Sequence, residues 1–372
     1  MRAVVAFPAE RKVRLVEQAV PRIESGTEVL LKILDVGICG TDREIARFEY
    51  GTRPAGSDHL VIGHESLGRV VEVGRSVTTV NPGDLVVATV RRPCPHAWCR
   101  ACPTGRQDFC FTGDFTERGI KGRHGFMTEL AVEDQRFLHR VPAGLRDVGV
   151  LVEPLTIAEK ALIQLGDVQR RMPWTGPGGS HRGGHGPRAV VLGAGPVGLL
   201  GALALLARGF ETWVYSREPP AGAKARWVES VAAHYVSSAV TRPDALAERV
   251  GSIDLFYEAT GAASVSFEAL KALGVNGVFV FTGVPGRKGP IEVDAGVIMR
   301  NLVLDNQLVF GTVNAGPDAF EAAIDDLGKF DQRWPAPLRS LITGRHRPED
   351  FEDLLLGPRW GIKQVVAFAE TR

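Results

Sequence analysis

Four cysteines lie within one Pro- and Arg-rich stretch of the chain, at the spacing C-x4-C-x2-C-x7-C. They are Cys94, Cys99, Cys102 and Cys110. Four thiolates this close in sequence can complete the tetrahedral shell of one Zn²⁺ ion, and a closed shell leaves no position for a substrate. The spacing therefore predicts a structural zinc site. His96 lies inside the same stretch and is an alternative ligand, although a solvated histidine is the commoner case.

A second set of residues with metal-binding side chains is scattered along the first half of the chain. It comprises Cys39 in the segment GICGTD, His64 and Glu65 in IGHES, and Glu153 in VEP. A thiolate, an imidazole and carboxylates on separate elements match a catalytic zinc, which keeps one position for water or a substrate oxygen. By residue type alone the pattern is weak, because cysteine and histidine are often simply buried.

A glycine-rich turn indicates a dinucleotide-binding site. Gly193, Gly195 and Gly198 form G-x-G-x-x-G directly after a predicted strand and at the start of a predicted helix. Glycine at these positions allows a tight turn and a close approach of the backbone to pyrophosphate, while the helix N-terminus attracts the phosphates. Further candidates for cofactor contacts lie within the turn or at the ends of later strand segments: Pro196, Val197, Thr260 and Gly283.

The end of the following strand bears on which dinucleotide binds. Ser216 and Arg217 stand there, with no Asp or Glu at the tip to accept the ribose 2′-hydroxyl. A hydroxyl followed by an arginine, with Lys224 and Arg226 nearby, suits a 2′-phosphate better. We therefore expect NADP as the preferred cofactor, with NAD as the alternative.

The surrounding sequence changes its pattern at the Gly-rich stretch 173–187, which is expected to be a loop or linker. Before it, short alternating strands broken by Gly, Pro and Asp indicate an all-β, barrel-like unit, from which a helix leads away. Over 188–305, hydrophobic strands alternate with helices, which predicts a parallel, doubly wound sheet. The tail is short for a third domain, so we predict one domain from 1–187 with 306–372 and a dinucleotide-binding domain over 188–305.

Composition is that of an ordinary globular protein. The 372 residues are 44% hydrophobic and 23% charged, with 44 Lys and Arg against 43 Asp and Glu. This balance gives no electrostatic basis for binding nucleic acid or an anionic membrane. No apolar run approaches the roughly 20 residues of a membrane span, and the first residues lack a signal-peptide core. We expect a cytoplasmic protein, in which five cysteines, an odd number, point to metal binding rather than disulfides.

The order and spacing of these motifs resemble the zinc-containing medium-chain dehydrogenase/reductase family over nearly the whole chain. Finer segments, including ICGTDREI, RQDFCFTGDF and PLTIAEK, resemble its glucose 1-dehydrogenase branch, which is known best from archaea. The resemblance implies an α/β protein with a GroES-like β-barrel catalytic domain and a Rossmann domain. It also implies a homodimer or a homotetramer.

The same resemblance implies roles around a catalytic zinc. Cys39, His64 and Glu65 match the first zinc ligands, and Glu153 stands where the branch has a further Gln or Glu ligand, beside the substrate. Asp42 matches the acid that orients the zinc-bound histidine, a role with a physical reason because a ligating imidazole needs a partner on its other nitrogen.

Other matches concern the substrate. Thr41 matches the hydroxyl that passes the substrate proton toward the cofactor ribose, and Asp114 and Asn314 match sugar-contacting positions. Three positions lack the polar side chain that the branch leads one to expect: Val90, Ile157 and Leu304. A buried sugar hydroxyl without a partner costs about 1 to 3 kcal/mol, so these departures leave open which aldose or polyol binds.

The expected reaction is the transfer of a hydride from a sugar or polyol hydroxyl, polarised by zinc as a Lewis acid, to the nicotinamide. The product is a lactone from an aldose, or a ketone. A zinc-dependent lyase or epimerase on the same scaffold, with a tightly held cofactor, is the alternative, and net cofactor reduction separates the two. A nucleic-acid-binding role for the four-cysteine stretch is disfavoured, because Asp108 and Asp114 offset the nearby arginines.

Overall fold

The computed structural model describes residues 1–173, 186–286 and 289–368, so the predicted linker lies almost wholly outside the described residues. The chain divides into two compact units. The first consists of Met1–Thr156, Asn314–Asp331 and Leu338–Arg372, and the second of Ile157–Val313 and Gln332–Pro337. Among the described residues, no helix is both long enough and apolar enough to cross a membrane.

The strands, in chain order, are β1 (Arg2–Phe7), β2 (Lys12–Glu17), β3 (Glu28–Gly37), β4 (Leu60–Val61), β5 (Glu65–Val73), β6 (Leu85–Ala88), β7 (Arg91–Arg92), β8 (Thr116–Arg118), β9 (Gly122–Arg123), β10 (Leu130–Asp134), β11 (Leu138–Val141), β12 (Arg188–Leu192), β13 (Glu211–Ser216), β14 (His234–Ser237), β15 (Leu255–Glu258), β16 (Val278–Phe281), β17 (Leu308–Gly311), β18 (Ile342–His346) and β19 (Lys363–Ala367). The helices are α1 (Gly40–Ala46), α2 (Val152–Gln169), α3 (Pro196–Ala207), α4 (Ala223–Ser230), α5 (Leu246–Val250), α6 (Ala263–Leu270), α7 (Ala295–Leu304), α8 (Pro317–Arg333), α9 (Pro335–Ser340) and α10 (Phe351–Leu355).

The first unit is built mainly from antiparallel strands. Its largest sheet has the order β11-β6-β5-β3-β19-β18, with β10 also paired to β3. The strand β19, near the end of the chain, pairs antiparallel with β3, so the tail enters this unit. Apolar side chains from these strands form one core that includes Leu31, Ile33 and Val86. The unit thereby holds β3, α1, β5 and β19 against one another, which matters for the metal site.

The second unit is a six-stranded parallel sheet with the order β14-β13-β12-β15-β16-β17. Its strand order reverses between β12 and β15, the place where such sheets bind ligands beyond the carboxyl ends of the strands. The helix α3 follows β12 and is apolar on all sides, as expected of a helix buried against a sheet. The predicted parallel, doubly wound sheet is therefore present.

The division between the units differs from the predicted boundaries at 187 and 305. Most of α2 belongs to the second unit, where Gln169 Nε2 donates to the carbonyl of Asn276 at 3.2 Å. The strand β17 pairs with β16 and extends the parallel sheet, although it lies beyond residue 305. The sequence of a short apolar segment such as LVFG is compatible with a strand in either unit. Only its pairing in the folded protein shows which sheet it joins.

Candidate functional site

Three of the predicted metal ligands meet at one point of the first unit. A donor atom from each of Cys39, His64 and Glu65 lies within 4.8 Å of the other two. Ligand atoms that sit about 2.0 to 2.3 Å from a shared zinc ion must approach one another this closely. The residues therefore fit a zinc ion, with a thiolate, an imidazole and a carboxylate as the donor set.

The local structure explains how these side chains converge. Cys39 lies between β3 and α1, directly before the helix, while His64 immediately precedes β5 and Glu65 is its first residue. The strands β3 and β5 pair so that Gly37 is opposite Glu65. A Cβ at Gly37 would overlap Glu65 Oε2, so the absence of a side chain at this glycine makes room for the carboxylate.

Asp42 connects Cys39 with His64. The Asp42 carboxylate is fully buried, and its Oδ2 accepts a hydrogen bond from the backbone N–H of Cys39 at 2.8 Å. Its Oδ1 lies 3.3 Å from His64 Nδ1, close enough for electrostatic pairing, although the angle is not that of a hydrogen bond. Burial alone would lower the pKa of His64, but the neighbouring Asp42 carboxylate raises it well above its usual value. The arrangement leaves the other ring nitrogen of His64 for a metal.

Lys363 is a member of this cluster that the sequence analysis missed. Its ammonium group is buried at the start of β19, pairs with Glu65 Oε2 and donates to the carbonyl of Ile38 at 3.2 Å. Burial alone would lower the pKa of Lys363, but the charge of Glu65 raises it. The one available signal was a lysine at the start of the segment KQVVAFA, which is mostly apolar and in which a buried charge needs a partner.

Glu153, the fourth predicted ligand, lies near this group without joining its three-residue cluster. It stands at the start of α2, where its side chain is partly buried. Burial raises the pKa of Glu153 to about 7, and the charges of His64, Glu65 and Lys363 also act on it. A carboxyl group with this pKa changes its charge near neutral pH.

The four predicted structural ligands also converge. The thiol sulfurs of Cys94, Cys99, Cys102 and Cys110 all lie within 4.8 Å of one another, and the first three residues are buried. Burial raises the pKa of Cys102 to about 12. Burial also raises the pKa of Cys110, but hydrogen bonds from Thr112 outweigh it and bring that pKa to about 6. The donor set is that of a closed tetrahedral zinc site.

His96, the alternative ligand in this stretch, has another partner. Its Nε2 lies 2.5 Å from Asp114 Oδ2, and its ring contacts the indole of Trp98. The Asp114 side chain is 63% exposed. The structure thus places Asp114, a predicted sugar-contacting residue, at the surface of the four-cysteine stretch.

Asn314, the other predicted sugar-contacting residue, bonds to a different acid. Its Nδ2 donates to Glu117 Oε1 at 3.1 Å, and the same oxygen accepts from Arg91 Nη2 at 3.0 Å. Glu117 is buried on β8. The sequence analysis missed Glu117 because it is only a few residues from Asp114, and no periodicity distinguishes the two.

In the second unit, the predicted phosphate-binding turn links β12 to α3. Gly193 has a φ of 113°, which only glycine adopts without strain, and a Cβ there would lie 2.8 Å from Thr260 Cγ2. A Cβ at Gly198 would overlap the carbonyl of Gly193. Gly195 precedes the first residue of α3, Pro196. The turn therefore has the tight geometry that brings backbone N–H groups to a pyrophosphate.

The candidates for the ribose end of the cofactor lie at the tip of β13. Ser216 is its last residue, and Arg217 follows with an exposed side chain. Lys224 Nζ is 2.9 Å from Glu218 Oε1, so this lysine is already engaged. Of the nearby cations, Arg217 is the one best placed at the strand tip.

Comparison with known proteins places the chain in a family. Residues 25–143 match the alcohol dehydrogenase GroES-like domain, and residues 146–368 match the glucose dehydrogenase C-terminus. The chain is 39% identical to the glucose 1-dehydrogenase of Methanocella arvoryzae, over 98% of this chain and 99% of that protein. It is 41% identical to that of Thermoproteus tenax, again over 98% and 99%.

The chain belongs to the glucose dehydrogenase family of zinc-containing medium-chain dehydrogenases. Among solved structures, the Haloferax mediterranei glucose dehydrogenase in complex with NADP, Zn and gluconolactone matches all of both chains, with a TM-score of 0.88 and 33% identity. The predicted family and its fold, a GroES-like barrel domain with a Rossmann domain, are confirmed.

This chain has apolar residues at three positions where the glucose dehydrogenase family led us to expect polar ones. Val90 is buried in the core of the first unit. Ile157 lies in α2 and is the first residue of the second unit. Leu304, the last residue of α7, is 62% exposed. None of these three side chains can donate or accept a hydrogen bond, so they carry no sugar hydroxyl contact.

Proposed function

We propose that this protein is a zinc-dependent dehydrogenase that oxidises a glucose-like aldose to its lactone and passes the hydride to NADP⁺. The observation that carries the proposal is the meeting of Cys39, His64 and Glu65 within 4.8 Å, in a chain that aligns over its full length with a relative bound to NADP, Zn and gluconolactone. A mixed donor set of this kind leaves a coordination position for a substrate oxygen.

The residues at the cluster of Cys39, His64 and Glu65 have separate roles in this reaction. Cys39 and His64 hold the metal, with Glu65 or Glu153 as the further ligand, and the metal supplies Lewis acidity to the sugar hydroxyl. Asp42 orients His64 through its Nδ1 side. Lys363 pairs with Glu65 and holds its carboxylate in place. Thr41, in the first turn of α1, takes the substrate proton toward the cofactor.

The cofactor is bound by the second unit. Gly193, Gly195 and Gly198 bring the backbone to the pyrophosphate, while Ser216 and Arg217 receive the 2′-phosphate of NADP. The remaining contacts come from residues around the turn and at the ends of β15 and β16: Pro196, Val197, Thr260 and Gly283. NAD is the alternative cofactor.

The sugar meets a polar pair in the first unit. Asn314 and Glu117 are bonded to each other, and both keep oxygen atoms that accept from a hydroxyl. This pair replaces the role expected of Asp114. The apolar Val90 and Ile157 favour a sugar with fewer or differently placed hydroxyls than glucose.

The named relatives are dehydrogenases, which favours this reaction over a lyase or an epimerase. The test is the initial rate of NADP⁺ and NAD⁺ reduction across aldoses, deoxy-sugars and polyols, with zinc-loaded and zinc-stripped protein. Zinc-dependent reduction with one sugar class is expected, fastest with NADP⁺. If the zinc-loaded protein binds nucleotide yet reduces none with any sugar, the proposal is wrong and a lyase or an epimerase becomes the better assignment.

The protein also acts as a homodimer, or as a homotetramer built from two such dimers, in the cytosol. The helix α7 has no buried residue, and Met299 and Val303 on its surface are 68% and 70% exposed. Beside them in sequence, β17 is an edge strand, and no described strand of the chain pairs with its outer side. A second copy of the same face covers both features at once, because a two-fold axis pairs identical edges.

Light scattering after size exclusion tests this assembly. Val303→Glu places a charge in the proposed interface and is expected to yield monomers. Val240→Glu, at an equally exposed valine near β14, is the matched control and should keep the wild-type mass. A monomeric wild type, or equal effects of the two variants, contradicts the proposed interface.

A further inference from the structure

One buried carboxylate in the second unit has no role in the chemistry described above. Glu258 is the last residue of β15, and only 1% of it is exposed. Among the residues that the structure describes, no lysine or arginine pairs with its side chain. An ionised carboxylate is expensive to bury without a cation, unless several hydrogen-bond donors surround it.

The donors around Glu258 come from two separate loops. Its Oε1 accepts from the backbone N–H and the hydroxyl of Thr260, both at 2.6 Å, and from the N–H of Gly261 at 2.8 Å. Its Oε2 accepts from the N–H of Gly283 at 3.1 Å, in the loop after β16. Its backbone carbonyl accepts from the hydroxyl of Thr282 at 2.6 Å. One residue thus ties together the loops that follow two adjacent parallel strands.

These two loops also touch each other and the phosphate-binding turn. A Cβ at Gly283 would overlap the backbone nitrogen of Gly261, and one at Gly193 would lie 2.8 Å from Thr260 Cγ2. All three segments are at the carboxyl edge of the sheet, next to the reversal in strand order. In parallel sheets of this order, ligands bind at that edge.

We propose that Glu258 is the positioning residue of the cofactor site, which holds the loops after β15 and β16 in their binding conformation before the nicotinamide dinucleotide arrives. This inference rests on the proposed function. Loops ordered in advance lose less entropy when a ligand binds, so preorganisation strengthens affinity without any direct contact. Four charge-assisted hydrogen bonds on one carboxylate are strong enough to do this, since each is roughly twice as strong as a neutral one.

Two substitutions at Glu258 release different numbers of loops from this residue. Glu258→Gln keeps the shape and one acceptor oxygen, but its amide NH₂ faces the N–H of Gly283 or the donors of Thr260, so one loop is released. Glu258→Ala releases both. Glu211→Gln is the matched control, because Glu211 lies at the first residue of β13, at the opposite edge of the same sheet, and pairs with Arg188 at 3.0 Å.

The measurements are the NADP⁺ dissociation constant, the KM values for NADP⁺ and for the sugar, and hydrogen exchange of the cofactor-free protein, all well below Tm. We expect the NADP⁺ dissociation constant and KM to rise about tenfold in Glu258→Gln and further in Glu258→Ala, one factor of ten for each 1.4 kcal/mol lost. Amide exchange over 259–262 and 282–286 should accelerate in step. The KM for the sugar and the zinc content should stay at wild-type values.

Three results of these measurements would overturn the inference. If the wild type binds NADP⁺ and both Glu258 variants bind it within twofold, the positioning role alone is overturned. If Glu211→Gln weakens binding as much as Glu258→Gln, the effect is general destabilisation and the inference is likewise overturned. If the wild type binds neither NADP⁺ nor NAD⁺, the proposed function fails and this inference fails with it. Should Glu258→Ala not fold, the isosteric Glu258→Gln decides.

Discussion

The two candidate metal sites of the first unit are built in opposite ways. The four-cysteine site takes all its ligands from one continuous stretch, and its donors are chemically identical. The other site takes Cys39 from the start of α1 and His64 and Glu65 from the start of β5. It also depends on two buried charges that are not ligands of the three-residue cluster, Asp42 and Lys363.

With the proposed function, we expect this difference to separate a stabilising site from a reactive one. Four thiolates satisfy a zinc ion completely, so the energy of metal binding goes into folding the local loop. A mixed and incomplete donor set leaves a position open, and its electrostatics are set by neighbours that can be changed without removing the metal. Substitutions should therefore have distinct consequences in the two places.

The largest expected effect is that of Cys39→Ala on catalysis. Loss of the only sulfur ligand removes the metal that polarises the sugar, a contribution of several kcal/mol, so kcat should fall by about a thousandfold or more. Bound zinc should drop by one ion per chain, with Tm nearly unchanged. Retained activity at that lower zinc content would show that this cluster is not the reactive site.

Cys102→Ala should do the reverse. With one buried thiolate gone, the four-cysteine stretch loses its metal and the protein loses part of its folding energy, so we expect Tm to fall by about 5 to 10 °C. The kcat of the folded fraction should stay within about twofold of wild type. Zinc analysis and thermal unfolding, measured beside Cys39→Ala, form the comparison, and a matching collapse in kcat would end the distinction between the two sites.

Sequence was sufficient for the four-cysteine site because its ligands are neighbours along the chain, and spacing alone brings them together. The second site needed the resemblance to a family, since Cys39 and His64 are carried by different elements. Lys363 stands 298 residues from Glu65 in the sequence, and only the pairing of β19 with β3 brings the two close. No local pattern announces such a contact.

The same limit applies to the fold and to the sugar contacts. The parallel sheet was predictable from its alternating strands and helices, but the placement of β17 in it was not. Asp114 and Glu117 are close in sequence, yet one lies at the surface beside His96 and the other is buried beside Asn314. Which of the two nearby acids points inward depends on where β8 begins, and a three-residue strand has too few residues to show an alternating pattern in the sequence.

A smaller effect is expected from Asp42→Asn, which alters the neighbour of a ligand. The asparagine can still accept from the N–H of Cys39, but its amide NH₂ then donates to His64 Nδ1 and favours the tautomer that carries the proton on the other ring nitrogen, which cannot then bind a metal. We expect zinc affinity at this site to fall about 10- to 100-fold, measured by competition with a chelator. The four-cysteine site serves as the internal control, and equal loss of zinc from both sites would refute the assignment of Asp42 to His64.

The smallest expected effect is a pH dependence of stability that arises from Glu153, beside the cluster of Cys39, His64 and Glu65. Burial raises the pKa of Glu153 to about 7 from an ordinary 4.5, so the folded, zinc-stripped protein binds this proton more tightly than the unfolded chain does. Its contribution to stability is complete below about pH 4.5 and is lost as pH rises through about 7, by about 1 to 3 kcal/mol at most. Glu153→Gln cannot titrate, so urea unfolding of the zinc-stripped variant should lose this part of the slope between about pH 4.5 and 7. Because a bound cation favours the carboxylate, zinc should flatten the same slope in the wild type.

If neither Glu153→Gln nor zinc alters the slope of stability against pH, Glu153 is outside the influence of the metal site. Glu65 would then be the carboxylate ligand of that site.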